Sequence, residues 1–291
     1  MKIAVFTVST PEYGIDETIE LVKRLGYDGV EWRVSTPAPA QKPENYTFGG
    51  RYWSYNRSTI DIARVEEELP AAADKARAAG LEVPAATTYL RMSEAPIDDI
   101  RRALGAAKKA DIRFMRTPAP GYDRTKPYDK LFAATRKAIE ATIPHASDAG
   151  VRLCFEMHMN TIIPSASAAR RLLEGLPTEQ VGVIYDPGNL VIEGFENYQM
   201  GLEILGDYLA YVHVKNTKWG HHSDAEGHPW KWEWDTIEEG MADFADVLAS
   251  LRAIGYDGWL SIEDFSNEQQ TEEKLAGIVG YLRRLIAESE R

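Results

Sequence analysis

Four short apolar runs in the second half of the chain each stop at a side chain that binds metals. They are Val151-Arg-Leu-Cys-Phe-Glu156, Val181-Gly-Val-Ile-Tyr-Asp186, Ala210-Tyr-Val-His213 and Gly258-Trp-Leu-Ser-Ile-Glu263. Helical sequence lies between them, and strands that alternate with helices pair in parallel. Parallel strands point one way, so Glu156, Asp186, His213 and Glu263 should meet at one end of a sheet. Three carboxylates and an imidazole carry a formal charge of about −3, which a partly buried site tolerates only with a cation. One divalent ion resolves the repulsion. An oxygen-rich set with one imidazole and no thiolate suits Mn²⁺ first, with Mg²⁺, Co²⁺ and Zn²⁺ also accommodated.

Other chemistry-bearing residues lie close to these four. His158 is two residues beyond Glu156, so an extended backbone would turn both side chains the same way. Its ordinary pKa suits a catalytic acid–base, and the alternative is a residue that only orients a ligand. Lys215 stands in the same relation to His213; it holds a substrate oxygen or pairs with a carboxylate. Asn189, in the turn Asp186-Pro-Gly-Asn189, is a turn residue or a partner for substrate hydroxyls. Glu31, taken as the end of the second strand, faces the same mouth and grips a sugar hydroxyl, or pairs with Arg33 or Lys215. His221 and His222 read as part of a solvated loop rather than a second metal site.

The elements that must position these groups follow from patterning. At 291 residues the length suits one α/β barrel. Eight strand–helix units can be counted, with strands at 3–8, 29–34, 81–87 and 112–116 before the four already named. Asp16 is expected to cap the first helix and Pro144 to bend or break the fourth. The stretch Gly26-Tyr-Asp-Gly returns at Gly255-Tyr-Asp-Gly, each a helix stop, a turn and a strand start. This repetition favours a single-domain (β/α)8 TIM barrel over residues 1–291. Two connections are unusually long. Residues 35–58 carry Tyr46, Phe48, Tyr52, Trp53 and Tyr55, which wall a pocket or simply pack the loop; residues 216–237 carry Trp230, Trp232 and Trp234.

Composition excludes some functions. A net charge of −12 argues against nucleic-acid or anionic-membrane partners, and no apolar run approaches twenty residues. A single cysteine, Cys154, sits in an apolar strand; it precludes an internal disulfide and fits a reducing cytoplasm.

In Phe155-Glu-Met-His158, Val183-Ile-Tyr-Asp-Pro-Gly-Asn189, Tyr211-Val-His-Val-Lys215 and Gly255-Tyr-Asp-Gly-Trp-Leu-Ser-Ile-Glu263 the chain resembles the xylose isomerase-like TIM barrel superfamily, the sugar phosphate isomerase/epimerase group. The resemblance covers nearly the whole chain. It implies that Glu156, Asp186, His213 and Glu263 bind one divalent metal and that Glu156 and Glu263 double as acid and base on a keto-sugar. Three positions depart from the group's ketose 3-epimerases: Asn189, Ile162 and Trp219 stand where those carry His, Glu and Arg. The Glu156-x-His158 pair also resembles family members that are lyases on 3-keto-glycosides, such as C-glycoside deglycosidases, in which the matching His serves as the base. The expectation is a metal-dependent isomerase or epimerase on a carbohydrate, with catalytic Glu156, His158 and Glu263 and substrate contacts from Glu31, Asn189 and Lys215. The alternative is a lyase or dehydratase built on the same proton abstraction. An endonuclease on this barrel needs more ligands and a basic groove, and a non-catalytic sugar-binding subunit has no need of intact ligands. The resemblance also allows a homo-oligomer or a small partner subunit.

Overall fold

In the computed structural model, which describes residues 1–223 and 226–289, strands and helices alternate almost throughout. In chain order the elements are β1 (Lys2–Phe6), α1 (Ile15–Arg24), β2 (Gly29–Ser35), α2 (Arg51–Ser54), β3 (Ile60–Asp61), α3 (Val65–Ala78), β4 (Ala85–Thr88), α4 (Ile97–Lys109), β5 (Phe114–Arg116) and α5 (Tyr128–Ala149). Then come β6 (Arg152–Glu156), α6 (Ala166–Leu173), β7 (Val181–Tyr185), α7 (Pro187–Ile192), α8 (Tyr198–Leu205) and β8 (Leu209–Val214). The last are β9 (Asn216–His221), β10 (Trp230–Asp235), α9 (Phe244–Ala253), β11 (Trp259–Ile262) and α10 (Thr271–Glu288). Strands β1, β2, β4, β5, β6, β7, β8 and β11 pair in parallel in that order, and β11 returns to β1. The closed ring is the expected (β/α)8 barrel.

The helices cover it with apolar stripes at helical spacing, such as Ile100, Ala103, Leu104 and Ala107 on α4 and Ala166, Ala169, Leu172 and Leu173 on α6. The repeated Gly-Tyr-Asp-Gly stop works as expected: Gly26 and Gly255 end α1 and α9 in left-handed backbone, at φ +82° and +74°.

Three local expectations are corrected. Helix α1 starts from Gly14, whose backbone N–H is taken by Glu17 at 2.6 Å, not from Asp16. Helix α5 runs unbroken past Pro144. Most of the stretch 216–237 is an antiparallel hairpin, β9 on β10, because Thr217, Trp219, Trp232 and Trp234 alternate with polar neighbours at strand period. Residues 224 and 225 of that stretch, and 290 and 291 at the chain end, lie outside the described residues.

Alternation along the barrel strands sorts their inward side chains into layers. The floor is Ala85, Phe114, Cys154, Ile184 and Tyr211. Two residues further along each strand lie Thr87, Arg116, Glu156, Asp186 and His213, all buried. The period of two that makes the floor apolar therefore puts the polar groups directly above it.

Candidate metal centre and active site

Glu156, Asp186, His213 and Glu263 each offer a ligand atom, and these four atoms lie within 4.8 Å of one another. An octahedral shell with bonds of about 2.1 Å spans about 4.2 Å, so a shift of a few tenths of an ångström would close the set on one ion. All four residues are buried. Each is fixed from a different direction. Glu156 Oε2 receives Arg116, with Nε and one terminal nitrogen both at 2.6 Å. Its Oε1 receives Asn189 Nδ2 at 3.1 Å. Asp186 caps α7, its Oδ1 accepting the backbone N–H of Asn189 at 2.9 Å. Gly188 lets that helix start press against the exit of β8: a Cβ there would stand 2.5 Å from the Lys215 carbonyl oxygen. The glycine serves this close approach rather than the turn.

His213 turns Nδ1 toward Glu156 and Glu263, at 3.4 and 3.6 Å, and Nε2 toward Glu31 at 3.3 Å. Phe6 stacks on its ring at 5.6 Å. Against burial, carboxylates at both nitrogens raise His213 well above the ordinary histidine range; with Nε2–H kept on Glu31, a metal would take the place of the Nδ1 proton.

The charges in the cluster do not balance. Lys215 Nζ lies 2.5 Å from Glu263 Oε2, 2.7 Å from Asp186 Oδ2 and 3.5 Å from Glu156 Oε1. Burial opposes charge on every member. At Glu156, Arg116 and then Lys215 outweigh burial and hold the carboxyl well below its usual range. At Glu263, Lys215 and His213 outweigh burial and the neighbouring Glu156, and the carboxyl is lowered. Asp186 is pushed up to about 8, by burial and by Glu156 and Glu263, which Lys215 offsets only in part. The donor set is thus short of positive charge and would accept a dication.

Glu31 lies deeper than the mouth to which the sequence assigned it. It is fully buried and touches neither the mouth nor Arg33 nor Lys215. The second strand continues four residues past it, so Glu31 lies in the His213 layer, and Arg33 is the residue that reaches upward. Its carboxylate accepts the hydroxyls of Thr87, Ser261 and Tyr211, the last at 2.8 Å, besides His213. Although burial opposes ionisation, His213 and these donors hold Glu31 below the usual carboxylate range. Asn189 is buried as well: its side chain bonds Glu156 and the Met157 carbonyl, and its backbone N–H closes the turn on Asp186. Replacing Glu31 with Gln sets an NH₂ against converging donors. Mn²⁺ affinity should fall about 10–100-fold, measured by calorimetric titration of the folded variant; unchanged affinity would confine Glu31 to packing.

Above the cluster opens a cavity of about 480 Å³. Glu156, Glu263, Lys215 and His158 reach it from below, and Trp53, Tyr89, Arg116, Trp234 and Phe265 form much of the wall. His158 Nδ1 lies 2.8 Å from the Met159 carbonyl. Nδ1 must therefore carry the proton, leaving Nε2 as acceptor. Burial holds this imidazole below the ordinary histidine range. Arg116, Tyr89 and Phe265 were not singled out from sequence, although Arg116 ends its strand as Glu156 does. Of the paired histidines in the hairpin, His221 packs edge-on against Trp230, and both are exposed. A hollow of about 610 Å³ at the opposite end of the barrel is lined by Arg77, Arg113, Arg152 and Trp259. It contains none of the four grouped ligands, and Arg152 there donates to backbone carbonyls.

Among the described residues no helix is long and apolar enough to cross a membrane. A family model described as xylose isomerase-like TIM barrel matches residues 19–285. Inosose dehydratase of Geobacillus kaustophilus is 24% identical over 121 residues, 39% of this chain and 39% of that protein. The chain thus spans between about two fifths and three fifths of the length of the dehydratases it matches. The L-ribulose-5-phosphate 3-epimerase UlaE of Salmonella paratyphi C is 26% identical over 271 residues, 92% of this chain and 87% of that protein. The structure of the E. coli 3-keto-D-glucoside 4-epimerase YcjR superposes with a TM-score of 0.72 at 18% identity, covering 98% and 99% of the two chains.

Proposed function

The chain belongs to the xylose isomerase-like TIM barrel family, and we propose that it is a divalent-metal-dependent isomerase or epimerase that removes a proton next to the carbonyl of a keto-sugar or polyol-derived substrate. The observation that carries this reading is the buried convergence of Glu156, Asp186, His213 and Glu263 beneath a cavity that also admits His158 and Lys215. These four would hold the ion, Mn²⁺ first among Mn²⁺, Mg²⁺, Co²⁺ and Zn²⁺. A bound dication would polarise the substrate carbonyl and acidify the neighbouring C–H. His158 accepts that proton at Nε2, since its low basicity keeps it neutral near pH 7. Glu263, at the cavity floor, is the second acid–base group on the opposite side. Glu156 is the weaker base of the two glutamates, because Arg116 stabilises its charge. Lys215 offers an ammonium to the carbonyl oxygen as charge develops.

Elimination is the second reading. Its support is that two positions at which ketose epimerases grip the sugar are spent on structure: Ile162 is buried, and Trp219 donates its indole N–H to the Val191 carbonyl at 2.9 Å. The dehydratase relatives point the same way. The substrate is a small carbohydrate, and the buried Cys154 suits a reducing cytoplasm.

The test is proton NMR of the Mn²⁺-loaded protein in D₂O with ketoses, keto-inositols and 3-keto-glycosides. Deuterium entering beside the carbonyl of an intact skeleton is expected. Loss of water or of an aglycone would transfer the assignment to a lyase. No exchange with any of them, in protein that holds metal, would overturn enolisation.

A further inference from the structure

Resting on that reading, we infer that Lys274 is a positioning residue for the metal centre: from outside the cavity it fixes the backbone that carries Glu263. Lys274 is the fourth residue of α10 and is only 2% exposed. A lysine so placed is unfavourable by itself. Burial opposes its charge and holds it below the ordinary lysine range, which Asp264 offsets only in part. Two apolar side chains of similar volume would hold α10 against the barrel about as well. What the charge adds is the set of acceptors it gathers. Lys274 Nζ lies 3.1 Å from Asp264 Oδ1, 3.1 Å from the Asp264 carbonyl and 3.1 Å from the Ser266 carbonyl. The Tyr52 hydroxyl is the fourth, at 2.9 Å.

These acceptors belong to the exit of β11. Asp264 follows Glu263 directly, and Phe265, between the two carbonyls, lines the cavity. Asp264 Oδ1 also accepts the Ser266 N–H at 2.7 Å and the Ser266 hydroxyl at 2.6 Å, which closes the turn around Phe265. Ser9 ties the same backbone from the other side. Its hydroxyl donates to the Ile262 carbonyl at 3.2 Å and accepts the Asp264 N–H at 3.0 Å. Tyr52 extends the tie to α2: its hydroxyl donates to the Ser266 carbonyl at 2.9 Å, and its ring meets Phe265 edge-on at 5.1 Å. A glutamate side chain turns about several bonds, so only a fixed backbone brings its carboxylate reproducibly to Glu156, Asp186 and His213. Without the ammonium, Asp264 is a buried carboxylate beside Glu263 that has lost its cation. The segment must then shift to reach water or another donor.

The experiment is calorimetric titration of Mn²⁺, with the visible bands of the Co²⁺-loaded protein as a reading of ligand geometry. The variants are Lys274→Met, Tyr52→Phe and, as a control on the same helix, Leu282→Ala, which opens a cavity at a fully buried leucine. Lys274→Met should lower Mn²⁺ affinity about 10–100-fold and alter the Co²⁺ bands. Tyr52→Phe, which keeps the ring, should lower affinity about three- to tenfold. Leu282→Ala should leave both readings at the parent's values. Parent affinity and bands in folded Lys274→Met, or in Tyr52→Phe should Lys274→Met not fold, would overturn the inference. An equal loss in Leu282→Ala would overturn it too, by making Lys274 a support of the fold alone. The D₂O assay reads the chemistry separately. Exchange by the parent with unchanged metal readings in the variants removes the positioning role alone, and lost affinity in the variants of a parent that exchanges nothing removes enolisation alone.

Discussion

In the presence of a chelator, Lys215→Met should lower the free energy of unfolding by about 3–5 kcal/mol, and saturating Mn²⁺ should restore most of the loss. Methionine keeps the length and apolar stem of lysine but removes the ammonium. Glu156, Asp186 and Glu263 would then face one another with only Arg116 and His213 nearby, on the buried floor of the cavity. Two responses are open to the variant: it protonates Asp186 further, or it unfolds more easily. A dication binding only the folded form at about a thousand times its dissociation constant supplies about 4 kcal/mol. That gain should be larger in the variant than in the parent, where the ammonium shares the same oxygens. Urea unfolding with EDTA and with Mn²⁺ measures both terms. A variant as stable as the parent in EDTA would mean that the carboxylates need no internal cation.

How much of this was legible in sequence depends on which side chains act alone. The convergence of Glu156, Asp186, His213 and Glu263 was legible because each ends an apolar run, and a strand end is a position sequence can mark. The barrel was legible for the same reason, with Gly26 and Gly255 marking equivalent corners. Glu31 was misplaced because it was taken as a strand end although it lies in mid-strand, four residues before Ser35, and a shift of two residues along a strand moves a side chain one full layer. Its true partners, Thr87, Tyr211 and Ser261, lie on three other strands, and only barrel closure brings their hydroxyls together. The wall of Trp53, Trp234 and Phe265 comes from three separate connections, so its composition was visible and its assembly was not. The hairpin was missed because its alternating tryptophans were read as loop aromatics.

His158→Gln should slow proton exchange about a hundred- to ten-thousandfold while leaving metal affinity nearly unchanged. The two halves of this expectation come from different contacts. His158 is outside the group of four whose atoms lie within 4.8 Å, so removing its ring takes no ligand away. It does line the cavity, beside Glu156 and across the barrel from Glu263. The Met159 carbonyl accepts from Nδ1–H and so fixes the tautomer that leaves Nε2 free to take a proton. Glutamine can keep a hydrogen bond to that carbonyl but cannot accept a proton near neutral pH, which isolates basicity from positioning. Glu263→Gln removes a ligand as well as an acid–base group, so it should lower Mn²⁺ binding and exchange together. Metal titration beside exchange rates tells the two substitutions apart. If His158→Gln lost metal in proportion to activity, the histidine would be a support for the ligand set, and Glu263 would remain as the base. If exchange persisted at the parent rate with metal bound, His158 would drop out of the chemistry, and the proton would have to leave toward Glu263 on the other face of the sugar.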